Sequence, residues 1–184
     1  MRFCSQCGAP VQRRVPAGDN LPRYICDHCQ TIHYQNPKIV AGCIPEWRDR
    51  VLLCRRAIEP RYGLWTLPAG FMENGETSAA AAARETLEEA RAVVQITQFF
   101  ALFSIPHISQ VYLMFRGELA VPEFAAGAES LEVALFEERD IPWDRLAFPV
   151  VRETLRRYCA DRQRGNYQVH TGDIHPEPGP TPRR

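Results

Sequence analysis

Gly70-Phe71-Met72-Glu73-Asn74-Gly75-Glu76-Thr77-Ser78-Ala79-Ala80-Ala81-Ala82-Ala83-Arg84-Glu85-Thr86-Leu87-Glu88-Glu89-Ala90-Arg91 is the stretch on which the fold turns. The segment Gly63 to Gly75 is too rich in Gly and Pro to stay regular for long. Thr77 to Arg91 holds five consecutive alanines and no breaker, so a helix is expected there. On that helix Glu85, Glu88 and Glu89 stand at i, i+3 and i+4, which puts three carboxylates on one face within a turn. Unpaired, they would repel one another. A divalent cation relieves that repulsion, and oxygen-only ligands at this density suit Mg²⁺ or Mn²⁺. An exposed acidic helix face near Arg84, Arg91 and Arg55 would give the same spacing and no function. The glycine-rich loop that precedes the helix, long enough to fold back over its first turns, favours the metal.

Outward from the helix, β-branched and small apolar residues from Ile39 to Ile44, and again from Arg50 to Cys54, predict two strands joined by a turn. Val93 to Phe103 and Gln110 to Leu119 predict two more, interrupted at Pro106-His107, and Leu131 to Phe136 a short one. A loop is expected through Gly127. Apolar residues at helical spacing, Val150, Val151, Leu155 and Tyr158, predict a C-terminal helix over Pro149 to Arg162. The expected organisation is a small module over residues 1–34, a main domain over 35–165 and a tail over 166–184.

Acidic and basic residues balance at 22 each among 184, so no overall field would draw the chain to nucleic acid or an anionic membrane. Nucleic acid is therefore not an expected partner, and an anionic substrate must be held by local chemistry. Cys4 follows the first methionine too closely for a secretory signal, and no apolar run would span a bilayer, so a cytoplasmic protein is expected. Four of the seven cysteines form Cys4-x2-Cys7 and Cys26-x2-Cys29, eighteen residues apart, the paired-knuckle spacing of a structural Zn²⁺ site. Buried thiols or a redox pair are the alternative. His28 and His33 are expected to be surface residues, and Cys43, Cys54 and Cys159 small core residues.

Gly70 to Glu89 resembles the Nudix box, GX5EX7REUXEEXGU, a loop–helix–loop that binds divalent metal and pyrophosphate. Six of its seven fixed glycine or charged positions match in register: Gly70, Glu76, Arg84, Glu85, Glu88 and Glu89. Thr86 stands where the box has an aliphatic residue, and Arg91 where it has its second glycine. If residue 91 closes the helix in a left-handed conformation, its side chain costs on the order of 1 kcal/mol. The resemblance implies an α/β/α sandwich around a mixed sheet, preceded by the zinc ribbon. It implies metal on Glu85, Glu88, Glu89 and the Ala69 carbonyl, with Arg84 orienting the glutamates through ion pairs. A further acidic residue is implied from the segment before the last strand, Glu132 first and Glu129 second.

The order ribbon, Tyr34-Gln35-Asn36-Pro37-Lys38, Gly63-Leu64-Trp65-Thr66-Leu67-Pro68-Ala69-Gly70 and box is similar to zinc-ribbon Nudix hydrolases acting on FAD and ADP-ribose, which release AMP. The related NADH pyrophosphatase group normally carries SQPWPFPxS downstream, where this chain has Phe103-Ser104-Ile105-Pro106-His107-Ile108-Ser109-Gln110. Tyr34, Trp65, Phe71 and His107 are candidates to flank a base or flavin ring, and Lys38, Arg55 and Arg56 to neutralise phosphate. The resemblance also implies a homodimer. From another class, a catalytically idle nucleotide sensor or nucleic-acid-binding ribbon protein remains open.

Overall fold

The computed structural model describes residues 1–176 and splits into two units after Pro37. The N-terminal unit is an antiparallel three-stranded sheet in the order β1 (Val11–Arg14), β2 (Arg23–Cys26), β3 (Ile32–His33).

In the second unit the elements run β4 (Lys38–Trp47), β5 (Arg50–Arg56), β6 (Trp65–Thr66), β7 (Ala69–Phe71), α1 (Ser78–Ala90), β8 (Val94–Ile105), β9 (Gln110–Leu119), β10 (Ser130–Glu137), α2 (Pro149–Arg164) and β11 (His170–Asp173). The sheet order is β10-β5-β4-β9-β8-β11. β4 with β9 and β8 with β11 are parallel, and the other neighbours antiparallel. β4 and β5 pair directly only at Glu46–Val51 and Trp47–Arg50. Beyond that, β7 pairs with β4 and β6 with β5, so the glycine-rich segment enters the sheet as two short strands and carries Gly70 to its edge with the helix.

Period-2 alternation gives the sheet two apolar faces. Val51 and Leu53 pack with Val150, Val151, Leu155 and Tyr158 of α2, whereas Leu52 and Cys54 pack with Ala81, Ala82 and Ala90 of α1. The result is the expected α/β/α sandwich. Cys43, Cys54 and Cys159 are buried core residues as expected, and burial pushes the Cys159 thiol up to about 11. No helix among the described residues is long and apolar enough to cross a membrane.

α1 starts where Thr77 accepts a hydrogen bond from the Ala80 N–H at 3.2 Å. It ends at Arg91, whose backbone is left-handed (φ 51°, ψ 26°) and whose N–H reaches the Leu87 carbonyl at 2.9 Å. The strain anticipated for a non-glycine here is therefore present. On the other side of the sheet, Arg116 donates to both Glu46 oxygens, at 2.8 and 3.0 Å, and Tyr158 donates to the same carboxylate at 3.1 Å. These contacts tie β4, β9 and α2 together around a carboxylate only 8% exposed. Arg116→Ala would leave that charge buried without its cation, and a loss of about 3–5 kcal/mol is expected in urea denaturation. A loss below about 1 kcal/mol would mean that water already solvates Glu46.

β11 corrects the expected tail over 166–184. His170–Asp173 lies parallel to Ala101–Ser104 of β8. Asp161 of α2, 2% exposed, anchors it by accepting from Gln168 N–H at 3.0 Å and lying 2.7 Å from His170 Nε2. The proline-rich stretch from residue 177 onward lies outside the described residues.

Candidate active site

The box helix and the loop after β9 meet at one wall of a 1030 Å³ cavity. Glu85 and Glu89 are 9% and 7% exposed, while Glu88, the outermost of the three, keeps 57% of its side chain in solvent. Gly70 is required by contact: a Cβ there would lie 2.3–2.4 Å from the Glu85 carboxyl group. Arg84 holds the cluster in place. It reaches Glu76 at 2.9 and 3.0 Å, Glu85 at 2.8 Å, Glu88 at 3.0 Å and the Phe71 carbonyl at 3.2 Å. Arg84 likewise holds the Glu76 carboxyl below its usual range.

Burial raises Glu85 above the ordinary carboxylate range, with Arg84 opposing. Glu89 is pushed up to about 8, first by burial and next by Glu85, against a hydrogen bond from the Ala69 backbone. Two buried carboxylates that repel each other, with a third beside them, form an oxygen donor set suited to a hard divalent cation. Such an ion would displace the Glu89 proton.

The fourth carboxylate is Glu129. It lines the cavity and adds to the repulsion felt by Glu85 and Glu89. Its loop is clamped onto the end of α1: Ala125 N–H donates to Ala90 O at 2.9 Å and Gly127 N–H to Glu89 O at 3.0 Å. A Cβ on Gly127 would fall 1.8 Å from the Glu88 carbonyl oxygen, so only glycine permits this approach. Glu132 is placed elsewhere. A register shift between Ser130 and Glu132 sets it opposite Arg55, which it pairs at 3.2 Å. Of the two acidic residues anticipated here, the structure brings the second to the cluster and not the first.

The expected substrate contacts divide similarly. Phe71 and His107 line the cavity, as does Ala69. Lys38 lies with its ammonium 4.6 Å from the Phe71 ring centroid. Trp65 belongs to the core, 6% exposed and edge-on to Phe136 at 4.9 Å. Arg55 is taken up by Glu132 and the Gly63 carbonyl, whereas its neighbour Arg56 lines the cavity, because successive residues of a strand face opposite ways. Tyr34 sits in the other unit beneath Arg23, 5.0 Å from its ring centroid. Sequence reasoning missed Tyr112 and Met114 on β9, Phe148 before α2, and Ile174 to Pro176 after β11, all of which line the cavity. No local signal marks them.

In the first unit the four cysteine sulfurs lie within 4.8 Å of one another. Cys4–Cys29 and Cys7–Cys26 are 3.6 and 3.5 Å apart. Four sulfurs around tetrahedral Zn²⁺ at about 2.3 Å require separations of about 3.8 Å, so the cluster fits that ion with no position left for water. His28 is exposed as expected. His33 is not: it is 9% exposed, with Nε2 3.2 Å from Cys4 Sγ, and its N–H can donate to the thiolate.

A mixed sheet between two helices, with a glycine loop folded onto a helix bearing clustered glutamates, defines a metal-dependent hydrolase domain of the Nudix type. The chain matches the NUDIX domain model over residues 36–158 and the Nudix N-terminal zinc-ribbon model over residues 2–35, and it belongs to the Nudix hydrolase family. A crystal structure of a NUDIX hydrolase from Nitrosomonas europaea is 59% identical, with a TM-score of 0.92 over 95% of this chain and 99% of that one. The NAD-capped RNA hydrolase NudC of Edwardsiella ictaluri is 32% identical over 163 residues, 87% of this chain and 59% of the relative. The ADP-ribose pyrophosphatase of Methanocaldococcus jannaschii is 29% identical over 132 residues, 67% of this chain and 76% of the relative. The chain thus spans little more than half the length of the NudC relative.

Proposed function

We propose that the chain hydrolyses the pyrophosphate bond of a nucleoside diphosphate derivative, ADP-ribose or FAD, and releases AMP. The observation that carries this reading is the convergence of Glu85, Glu88, Glu89 and Glu129 on one wall of a cavity that Phe71, Ile108, Tyr112 and Phe148 also line. The first group suits metal and phosphate; the second offers apolar faces to a ring.

Glu85, Glu88 and Glu89, with the Ala69 carbonyl, would hold Mg²⁺ or Mn²⁺. Bound there, the ion supplies charge neutralisation for the pyrophosphate oxygens and a more acidic water. Arg84 fixes the carboxylates and does not touch substrate. Arg56, which also lines the cavity, faces the phosphates, braced by the Pro60 carbonyl at 3.0 Å and the Phe148 ring at 5.0 Å. Glu129 takes the proton from the attacking water, and its clamped backbone sets the distance. Glu129→Gln is therefore expected to lower kcat by about 10²-fold, and Glu132→Gln to leave it within about twofold. The reverse pattern in steady-state assays, with the loss in Glu132→Gln and not in Glu129→Gln, would assign the role to Glu132 instead. In the ribbon, Cys4, Cys7, Cys26 and Cys29 hold Zn²⁺, and the functional particle is a homodimer, checked by light scattering.

NADH is the second reading, favoured by the NudC relatives, whose names specify NAD-capped RNA. Side-by-side AMP release from FAD, ADP-ribose, NADH and a nucleoside triphosphate separates these cases. Preference for FAD or ADP-ribose supports the proposal and preference for NADH replaces it. Failure on all four leaves the idle nucleotide sensor.

A further inference from the structure

Among the described residues four arginines line the cavity: Arg56, Arg61, Arg84 and Arg91. Arg84 is committed to three glutamates and Arg56 to a carbonyl and a ring. Arg61 and Arg91 make no ion pair or side-chain hydrogen bond among the described residues. Both have left-handed backbones, φ 72° and 51°. They differ in what holds them. Arg61 lies between β5 and β6, in no regular element. Arg91 is the cap of α1, two residues beyond Glu89, and its N–H is bonded to Leu87 O at 2.9 Å.

A glycine at residue 91 would adopt the same backbone without strain and leave the cap hydrogen bond intact. What glycine cannot supply is a cation. The neighbouring Glu88, three residues back on the helix, is already paired with Arg84 and makes no ion pair with Arg91. The residue thus combines backbone strain, an uncommitted guanidinium and a backbone anchored at the end of the helix that carries the carboxylates. We propose that Arg91 is a substrate-binding residue that holds a phosphate oxygen of the substrate's pyrophosphate, an inference that rests on the reaction proposed above. A guanidinium matches phosphate through two parallel N–H donors, a geometry an ammonium does not reproduce. Because the contact is present before bond cleavage, it lowers KM and leaves kcat largely unchanged.

Arg91→Gly in the full chain is the test. KM for ADP-ribose is expected to rise about tenfold with kcat within about twofold, and the affinity for inorganic pyrophosphate with Mg²⁺, measured by calorimetry, to fall by a similar factor. Arg91→Lys should fall between the two. The melting temperature of Arg91→Gly should stay equal to the parent's or rise. Unchanged pyrophosphate affinity would overturn the proposal. So would a lower melting temperature, since the residue would then serve the helix end. If the parent turns over neither ADP-ribose nor FAD, the proposed reaction fails, and the pyrophosphate titration alone decides the role of Arg91.

Discussion

Glu89→Gln is expected to lower kcat by about 10³-fold, about 4 kcal/mol of transition-state stabilisation, without loosening the fold. Glu89 is 7% exposed, takes a hydrogen bond from the Ala69 backbone and faces Glu85 across the site proposed for metal. An amide has nearly the same shape but lacks the charge a hard cation requires. Stability should move the other way. Burial and Glu85 push the Glu89 carboxyl up to about 8, well above its value of 4.5 in a free chain. Between those two values the folded protein keeps a proton that the unfolded chain has lost, so this residue's contribution falls as pH rises from about 4.5 through 8. A neutral glutamine removes that pH dependence. In the absence of divalent metal at pH 8, Glu89→Gln should therefore melt no lower than the parent. Turnover retained within tenfold would remove Glu89 from the ligand set.

Cys26→Ser is expected to unfold the first unit and reduce bound zinc from one ion per chain to none. Ile25 and Pro16 are the only aliphatic side chains buried in that unit among the described residues, too little for a three-stranded sheet to stand on. In small zinc modules the metal contributes about 10–16 kcal/mol at neutral pH, which is the folding free energy itself. Three remaining thiolates and a hydroxyl would hold the ion far more weakly. Tryptic cleavage at Arg13, Arg14 or Arg23 should become rapid, with zinc lost on dialysis. Full zinc content together with protease resistance would show that the sheet is held by something other than the metal.

Features carried by contiguous residues were legible in the sequence, and features made by tertiary contact were not. The helix bearing Glu85, Glu88 and Glu89 was legible because its spacing, its alanines and its glycine loop are contiguous. β4, β5, β8, β9 and β10 were legible from β-branched runs and α2 from its periodicity, whereas β6 and β7, within the glycine-rich segment expected to be irregular, were not. β11 was not, because His170-Thr171-Gly172-Asp173 has no alternation of its own and becomes a strand only by pairing with β8. Arg55 and Arg56 stand as equal candidates in the sequence because spacing alone cannot say which of two neighbours faces a cavity. Glu132 was placed ahead of Glu129 because the register shift at the start of β10 leaves no mark in composition. His33 was read as a surface residue, and its burial against Cys4 depends on a contact across 29 positions. The cavity lining from Phe148 and from Ile174 to Pro176 is tertiary in the same sense.

The most direct test of the central claim is AMP release from ADP-ribose by chelator-stripped protein titrated with Mn²⁺. The carboxylate site predicts no release without the ion and saturable release as it is added, with apparent affinity rising with pH towards 8 as the Glu89 proton is displaced. Release that persists in excess chelator, or none at any Mn²⁺ concentration, would contradict it.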